Sequence, residues 1–344
     1  MTTEEDVSKA VAMKRFKQAR DQGARYLLGQ LHDDGRFGDS QRGLWDYYKV
    51  PAALQVAGYS AAAGRLCHWI RRQGLLPNGD FGPRPAAADP ALDYGYSYFN
   101  TWVILGAQRL GQFDLAHRGM DFLIESWDAE SGGFYSHPTR RDAHTKQDLW
   151  VVAGAGIAAT YTARMEQALG VGRWMRRLMD LQPDYPNYLY STYSRAHGLF
   201  TDPDLDPDPG DGPIRYVMHK DAQEDQFFFH PGIAGGFLTR LYKASGDDHW
   251  LDLAVEYMRF AEGAGDFLFG LPRSGKVGWA AAELYTLTGE TKYRDMAIRV
   301  GDMLIDLQRE DGCWDSMFDK VPSNDITAEL TYWLDEIHQA VGEE

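Results

Sequence analysis

Acidic, histidine and aromatic side chains stand together at several points of this 344-residue sequence. Asp46 lies between Trp45 and Tyr47, and His230 follows a run of three phenylalanines. Carboxylate and imidazole groups move protons in enzymes, and aromatic faces surround small ligands or stabilise cations. These residues therefore predict acid–base chemistry on a small molecule.

The candidate residues form two sets. The candidate catalytic groups are Asp46, Asp148, His230 and Asp325. The candidate substrate-binding groups are aromatic, amide or cationic side chains: Trp45, Tyr47, Tyr48, Lys49, Tyr94, Tyr96, Asn100, Trp150, Phe228, Lys276 and Trp279. Aspartate also caps helix N-termini, so capping is the alternative explanation of Asp148 and Asp325. A solvated or core histidine is the alternative for His230.

A period of about 45–50 residues runs through the chain, which is typical of a repeat architecture. Its marker is a Gly-x-aromatic sequence, found at residues 35–37, 79–81, 132–134, 265–267 and 312–314. The copy expected near residue 187 is aromatic but lacks the glycine. Gly58, Gly111, Gly246 and Gly289 precede amphipathic stretches, as left-handed residues that end helices do.

Between the markers, stretches that are apolar on all sides alternate with amphipathic ones, which predicts inner and outer helices. The predicted inner helices are Trp45–Ala57, Tyr98–Leu110, Leu149–Tyr161, Gly232–Ala244, Gly275–Leu287 and Ile326–Val341. The first outer helix, Ser8–Leu31, would pack beside the last inner helix and close the ring. The sequence therefore predicts an all-α fold, an (α/α)6 barrel, as one domain over 1–344 with a loop insertion or lid at 187–229.

Residues 308–314 match the Q-x3-G-x-W pattern of the QW repeat, and looser copies stand at 30–37 and 73–81. The chain thus resembles the α/α toroids of terpenoid cyclases and protein prenyltransferases over most of its length. This resemblance implies a central cavity that opens at the N-termini of the inner helices. Glycoside hydrolases and polysaccharide lyases with (α/α)6 barrels carry similar turns, so the fold leaves the function open.

The metal and acid motifs of those families are not found in this sequence. Asp311-Gly312-Cys313 resembles the zinc-binding Asp-x-Cys of prenyltransferases, but no histidine begins a later inner helix. We therefore predict no metal and no cofactor. The acidic run at 202–211 has the oxygen ligands that a hard cation needs, but its prolines favour a solvated loop or a lid.

The leading functional hypothesis is a metal-independent acid–base lyase, isomerase or cyclase acting on an apolar, isoprenoid-like molecule in the central cavity. In it, Asp46 is the acid and His230 or Asp148 the base. The alternative is a carbohydrate-active (α/α)6 enzyme, either a glycoside hydrolase with two carboxylates or a polysaccharide lyase. A second alternative is a toroid that binds a ligand without chemistry.

Composition limits the partners and the compartment. The formal net charge of −15 disfavours nucleic acid, which needs a basic surface. No apolar run approaches the roughly 18 residues that insert into a membrane, and the N-terminus lacks the apolar centre of a signal peptide. Two cysteines favour a reducing compartment. We therefore expect a cytoplasmic protein whose partner is a small-molecule substrate, with an undetermined oligomeric state.

Overall fold

The computed structural model describes residues 4–38, 43–83, 95–202, 217–317 and 319–342. Within these ranges the chain alternates between inner and outer helices, as predicted. The outer helices are α1 (Glu4–Gly29), α4 (Ser60–Trp69), α6 (Phe113–Ile124), α8 (Met165–Asp180), α10 (Asp248–Glu262) and α12 (Thr291–Asp306). The inner helices are the pair α2 (Leu44–Tyr47) and α3 (Val50–Val56), then α5 (Tyr96–Arg109), α7 (Leu149–Tyr161), α9 (His230–Ser245), α11 (Gly275–Thr288) and α13 (Asn324–Gly342).

The inner helices close into a ring. Each inner helix packs against the next in chain order, and α13 packs against α3 to complete the circle. α1 lies on the outside of α13, so the first outer helix joins the last repeat to the first. The all-α (α/α)6 barrel predicted from the repeat is therefore confirmed.

The first inner helix differs from the continuous segment predicted at 45–57. It is interrupted at Tyr48 and Lys49, between α2 and α3. Pro51 lies in the first turn of α3, where its missing N–H costs nothing, but a continuous helix would bring its ring against the carbonyl of Tyr47. The interruption places Tyr48 and Lys49 at a turn facing the ring.

The Gly-x-aromatic markers form turns that pack against a neighbouring outer helix. In the first and last copies, Gly35 and Gly312 have φ values of +89° and +88°. A Cβ on Gly35 would stand 2.6 Å from the carbonyl oxygen of Arg65, and one on Gly312 would stand 2.6 Å from that of Gln22. Glycine is needed at both positions because of the positive φ and the close approach.

Short strands, which the repeat pattern did not predict, lie between α6 and α7 (residues 147–148) and between α8 and α9 (within residues 188–219). β1 (Gln147–Asp148), β3 (Thr192–Ser194) and β4 (Gly198–Leu199) form one antiparallel sheet in the order β1-β3-β4. β2 (Tyr188–Tyr190) pairs with β5 (Val217–His219) in a second antiparallel sheet. The strands β2 to β5 occupy part of the predicted insertion at 187–229, whose role as a lid stays a prediction.

Shorter helical segments complete the described backbone. A π-helical turn at Ile70–Gly74 extends α4, and 3₁₀ turns at Asp266–Gly270 and Pro272–Ser274 precede α11. Among the described residues, no helix combines the length and the apolar character that a membrane crossing requires.

Candidate active site on the N-terminal face of the ring

A cluster of charged side chains lies at the first turns of the inner helices. Lys49 and Lys276 each donate a hydrogen bond to Glu329 of α13, one to each carboxylate oxygen. Lys49 also pairs with Asp325 at 2.7 Å. The lysines and Glu329 are buried, whereas the Asp325 side chain is 27% exposed. Asp325 is thus the carboxylate through which this cluster reaches the surface.

Burial and charge pairing set the protonation states of this cluster. The pKa of Glu329 is lowered because the two lysine charges and their hydrogen bonds outweigh the desolvation that opposes them. The pKa of Lys49 is raised well above its usual value, because Asp325 and Glu329 outweigh its desolvation. Lys49 is therefore a fixed cation and Glu329 a fixed anion at neutral pH.

Aromatic side chains surround the charge cluster. Trp45 packs on Phe99 at a centroid distance of 5.2 Å, and Trp150 packs on Tyr98 at 4.6 Å. Phe229 lies edge-on to Trp150 and receives Lys276 over its ring at 4.9 Å. Trp45 and Trp150 are half-buried, so their exposed parts form an aromatic surface around the buried charges.

Tyr48 and Tyr98 bring hydroxyl groups to the same place. Lys49 lies over the Tyr48 ring at 4.9 Å. Burial and the nearby Asp325 raise the pKa of Tyr48 well above its usual value, so it stays a neutral hydrogen-bond donor. The Tyr98 hydroxyl is buried without a hydrogen-bond partner among the described atoms. An unsatisfied buried hydroxyl is costly, which makes it a candidate contact for a ligand or a water.

Asp148 and His230 form a buried pair beside this surface. His230 Nε2 lies 3.2 Å from Asp148 Oδ1, and His230 Nδ1 lies 2.8 Å from the carbonyl oxygen of Phe227. Asp148 also accepts hydrogen bonds from Trp150 N at 2.8 Å and from Ser191 Oγ at 2.8 Å. The polar atoms of both residues are occupied, and both residues are almost fully buried. The pair therefore holds Ser191, Trp150 and Phe227 in place.

Three predicted binding residues instead hold a surface loop. Tyr47 donates to the carbonyl oxygen of Gly82 at 2.6 Å and packs on Trp69 of an outer helix, so it lies on the outer side of the ring. Tyr96 donates to Asp80, and Asn100 donates to the same carboxylate at 2.9 Å. These contacts tie the Gly-x-aromatic turn at 79–81 to α5.

The other predicted residues fall in different surroundings. Phe228 is fully buried and packs on Phe267, away from the charge cluster. Asp46 is buried and packs against Gly38, on which a Cβ would clash with Asp46 Oδ2. Trp279 stacks on Trp333 at 4.5 Å inside the ring. Tyr94 and most of the acidic run at 202–211 lie outside the described residues.

The centre of the ring is nearly filled. The cavity lined by Tyr98, Trp102 and Trp279 has a volume of about 20 Å³, which is room for about one water molecule. Arg240 and Tyr161 also line this cavity, and Arg240 donates hydrogen bonds to Tyr161 at 2.6 Å and to Glu336 at 2.8 Å. A substrate is therefore expected on the N-terminal face and not in the middle of the ring.

Sequence reasoning did not select three charged residues of this face. Glu329 is one, and the others are Arg273 and Asp225, which pair at 2.8 Å. Glu329 carries a usable signal, because it follows Asp325 by four residues and so lies on the same helix face. Its lysine partners come from the preceding repeat (Lys276) and, through ring closure, from the first repeat (Lys49), and only the folded ring brings them together.

The residues that resemble a zinc motif form a turn in which Cys313 is buried and Asp311 is exposed. Cys313 Sγ lies 3.2 Å from Thr327 Oγ1, and Asp311 accepts a hydrogen bond from the Cys313 amide at 3.1 Å. Within the described ranges, no cluster of three or more histidine, cysteine or acidic residues is arranged to hold a metal ion.

The fold is similar to that of solved carbohydrate-active enzymes. A D-mannose isomerase superposes with a TM-score of 0.68 and 13% identity, over 94% of this chain and 97% of that one. The GH76A α-1,6-mannanase of Salegentibacter sp. HEL1_6 superposes with a TM-score of 0.62 and 12% identity, over 94% of this chain and 99% of that one. An unsaturated glucuronyl hydrolase specific for heparin superposes with a TM-score of 0.59 and 11% identity, over 95% of this chain and 97% of that one. This chain shares their toroid fold.

At these identities the likeness shows the fold alone. No protein-family model and no curated protein matches the sequence. The predicted toroid architecture is confirmed, but no terpenoid cyclase family is shown.

Proposed function

We propose that this chain is a carbohydrate-active enzyme that binds a sugar on the N-terminal face of the ring. The observation that carries the proposal is the buried Lys49–Glu329–Lys276 cluster beneath an aromatic surface, with Asp325 as its exposed carboxylate. Trp45 and Trp150 offer faces on which a sugar ring can stack, and the charges offer partners for its hydroxyls. The fold likeness to sugar-processing toroids supports the same class.

Within this class we favour isomerisation or epimerisation of a reducing sugar. In the open-chain form, Asp325 would remove the proton at C2 while Lys49 donates a hydrogen bond to the carbonyl oxygen. The cationic Lys49 would stabilise the resulting enediolate. The proton on O2 would then pass to O1, and Asp325 would return the carbon-bound proton to C1, giving the ketose. Alternatively, a second group would protonate C2 from the opposite side, giving the epimer.

Glycoside hydrolysis has less support from the charges of the described site. It requires a carboxylic acid that is still protonated at working pH. The lowered pKa of Glu329 makes it a poor general acid, and both carboxylate oxygens of the buried Asp148 are already held by hydrogen bonds from Trp150 N and Ser191 Oγ. Two adjacent lysines would also oppose the positive charge that develops on the sugar during cleavage.

Asp46, Asp148 and His230 remain predicted functional residues. For Asp148 and His230 we propose a positioning role, because Asp148 caps α7 just before Trp150 and His230 stacks on Phe229 at 4.6 Å. Asp148→Asn, which keeps an acceptor for the Trp150 amide, should then preserve folding and weaken sugar binding more than the proton-transfer step.

The test is an incubation with free aldoses and ketoses in D2O, followed by ¹H NMR. Proton transfer at C2 predicts loss of the C2 proton signal and growth of a product sugar. Asp325→Asn should slow this conversion by about 10²–10⁴-fold, as expected for a lost general base. Lys292→Met, at a lysine whose side chain is 45% exposed, is the matched control and should not change it.

Other outcomes separate the alternatives. Release of reducing ends from oligosaccharides without deuterium at C2 would refute isomerisation and support a glycoside hydrolase. Binding of sugars without conversion by either route would support the non-catalytic toroid. Stabilisation by prenyl alcohols or diphosphates, with no response to sugars, would refute the carbohydrate proposal.

A further inference from the structure

An aromatic shelf lies on the small β2–β5 sheet, outside the candidate active site. It consists of Tyr188, Tyr190 and His219. Tyr188 pairs in register with His219 across the two strands, and their rings lie 4.6 Å apart. Tyr188 and Tyr190 lie 6.3 Å apart with an angle of 26° between their planes. The three rings therefore form one aromatic cluster on this side of the sheet.

The shelf faces outward because of the alternation of side chains along a strand. Leu189 and Met218, which point to the other side of the sheet, are fully buried and anchor it to the ring. Tyr188, Tyr190 and His219 are each half-buried. Part of each of these three side chains is therefore exposed to solvent, while the sheet behind them is fixed by its buried residues.

Hydrogen bonds hold the shelf rigidly. Gln182 accepts from Tyr190 N at 2.8 Å and donates to Tyr190 O at 2.9 Å. On the other strand, His219 N donates to the Gln226 side chain at 2.7 Å. A ligand that stacks on this surface would lose little affinity to ordering of the protein.

The chain on both sides of the shelf is hydrogen-bonded to the Asp148–His230 pair beside the candidate active site. Ser191, the residue after Tyr190, donates a hydrogen bond to Asp148. Gln226 is followed by Phe227, whose carbonyl oxygen lies 2.8 Å from His230 Nδ1. A ligand that occupies the aromatic surface around Trp150 could therefore extend onto the shelf.

We propose that Tyr188, Tyr190 and His219 form an outer subsite for a further sugar residue, so that the substrate is an oligosaccharide and not only a monosaccharide. This inference rests on the proposed carbohydrate function. The apolar C–H face of a sugar ring would stack on the tyrosines. The hydroxyl groups of Tyr188 and Tyr190 would add hydrogen bonds to its equatorial hydroxyls.

The test is isothermal titration calorimetry of the full chain with α-1,6-linked manno-oligosaccharides and β-1,4-linked gluco-oligosaccharides of one to four residues. We expect affinity to rise with chain length in one series. Replacing both tyrosines, as Tyr188→Ala with Tyr190→Ala, should reduce that gain by about tenfold, which corresponds to about 1.4 kcal/mol. Tyr188→Phe with Tyr190→Phe, which keeps the stacking faces, should retain most of it.

Phe113→Ala is the matched control, because Phe113 is an aromatic residue that is 55% exposed at the start of α6, far along the chain from the shelf. It should leave the chain-length dependence unchanged. The subsite is refuted if wild-type affinity does not rise with length, or if it rises equally in the double alanine variant. Turnover of monosaccharides without any length dependence refutes the subsite alone, whereas no binding and no turnover of any sugar refutes the proposed function as well.

Discussion

Replacing Glu329 by glutamine should destabilise the protein strongly, because it leaves two buried lysines without their shared anion. Glu329 accepts hydrogen bonds from Lys49 and Lys276, and Asp325 would remain as a partner of Lys49 only. Removing one member of a buried ion pair costs about 3–5 kcal/mol. For 344 residues the unfolding entropy is about 0.7 kcal/mol per kelvin, so the Tm should fall by about 4–7 °C.

The effect of Glu329→Gln should depend on pH in a defined direction. The pKa of Glu329 is lowered from its usual value of 4.5 in the folded protein. Its ionised form therefore stabilises the fold above pH 4.5, and this contribution is lost as the pH falls through the lowered pKa. The difference in stability between wild type and variant should thus be constant near neutrality and shrink only below about pH 4.5.

Differential scanning calorimetry between pH 3 and pH 8 measures both effects. Glu290→Gln is the matched control, because Glu290 pairs with Lys292 at 3.1 Å with about half of its side chain exposed. It should change stability by at most about 1 kcal/mol. A cost below 1 kcal/mol for Glu329→Gln would refute the argument that the cluster is desolvated. Conversion of Lys49, Lys276 and Glu329 together to methionine should recover most of the loss.

Three further predictions concern the ring and its N-terminal face. Gly246→Ala should destabilise the protein by about 1–2 kcal/mol in denaturant titrations, because Gly246 ends α9 with a positive φ of +71° that an alanine adopts only at a cost. No atom lies near its Cβ position, so the cost comes from the backbone alone. The control is Gly64→Ala, in an equally open position within α4, which should stabilise the protein by up to about 1 kcal/mol. Trp45→Ala should raise the KM for the sugar substrate by about fivefold or more. Tyr47→Phe should instead lower the free energy of unfolding by about 1–3 kcal/mol, because it leaves the Gly82 carbonyl without its hydrogen bond. Equal effects of the two variants on KM would contradict the placement of Tyr47 on the outer side of the ring. The Cys67 thiol, whose pKa burial raises to about 12, should resist an aromatic disulfide reagent at pH 8 until the chain unfolds, and rapid reaction of the native protein would show that the α4 packing opens.

Much of the fold follows from local patterns in the sequence. The contrast between all-apolar and amphipathic stretches distinguishes inner from outer helices, since it reflects whether a helix has one buried side or all sides buried. Gly246 and Gly289, predicted as helix ends, adopt left-handed conformations. The break in the first inner helix was also readable, because Pro51 disfavours a continuous helix.

The short sheets were less accessible to such reasoning. β2 pairs with β5 across residues 191–216, and β1 pairs with β3 across a whole inner–outer helix pair. Strands of two or three residues carry little periodicity of their own. Their formation depends on partners that the ring brings close together, so the aromatic shelf appears only in the tertiary structure.

The same division holds for the candidate active site. The sequence by itself determined that acids, lysines and aromatics gather at the starts of the inner helices, because those positions recur with the repeat. Tertiary packing decided which of them meet: Glu329 lies between Lys49 and Lys276, 280 and 53 residues away along the chain, whereas Tyr96 and Asn100 turn to Asp80 and hold a loop. Side chains at equivalent repeat positions differ in role because each polar group must find its own partner once it is removed from water.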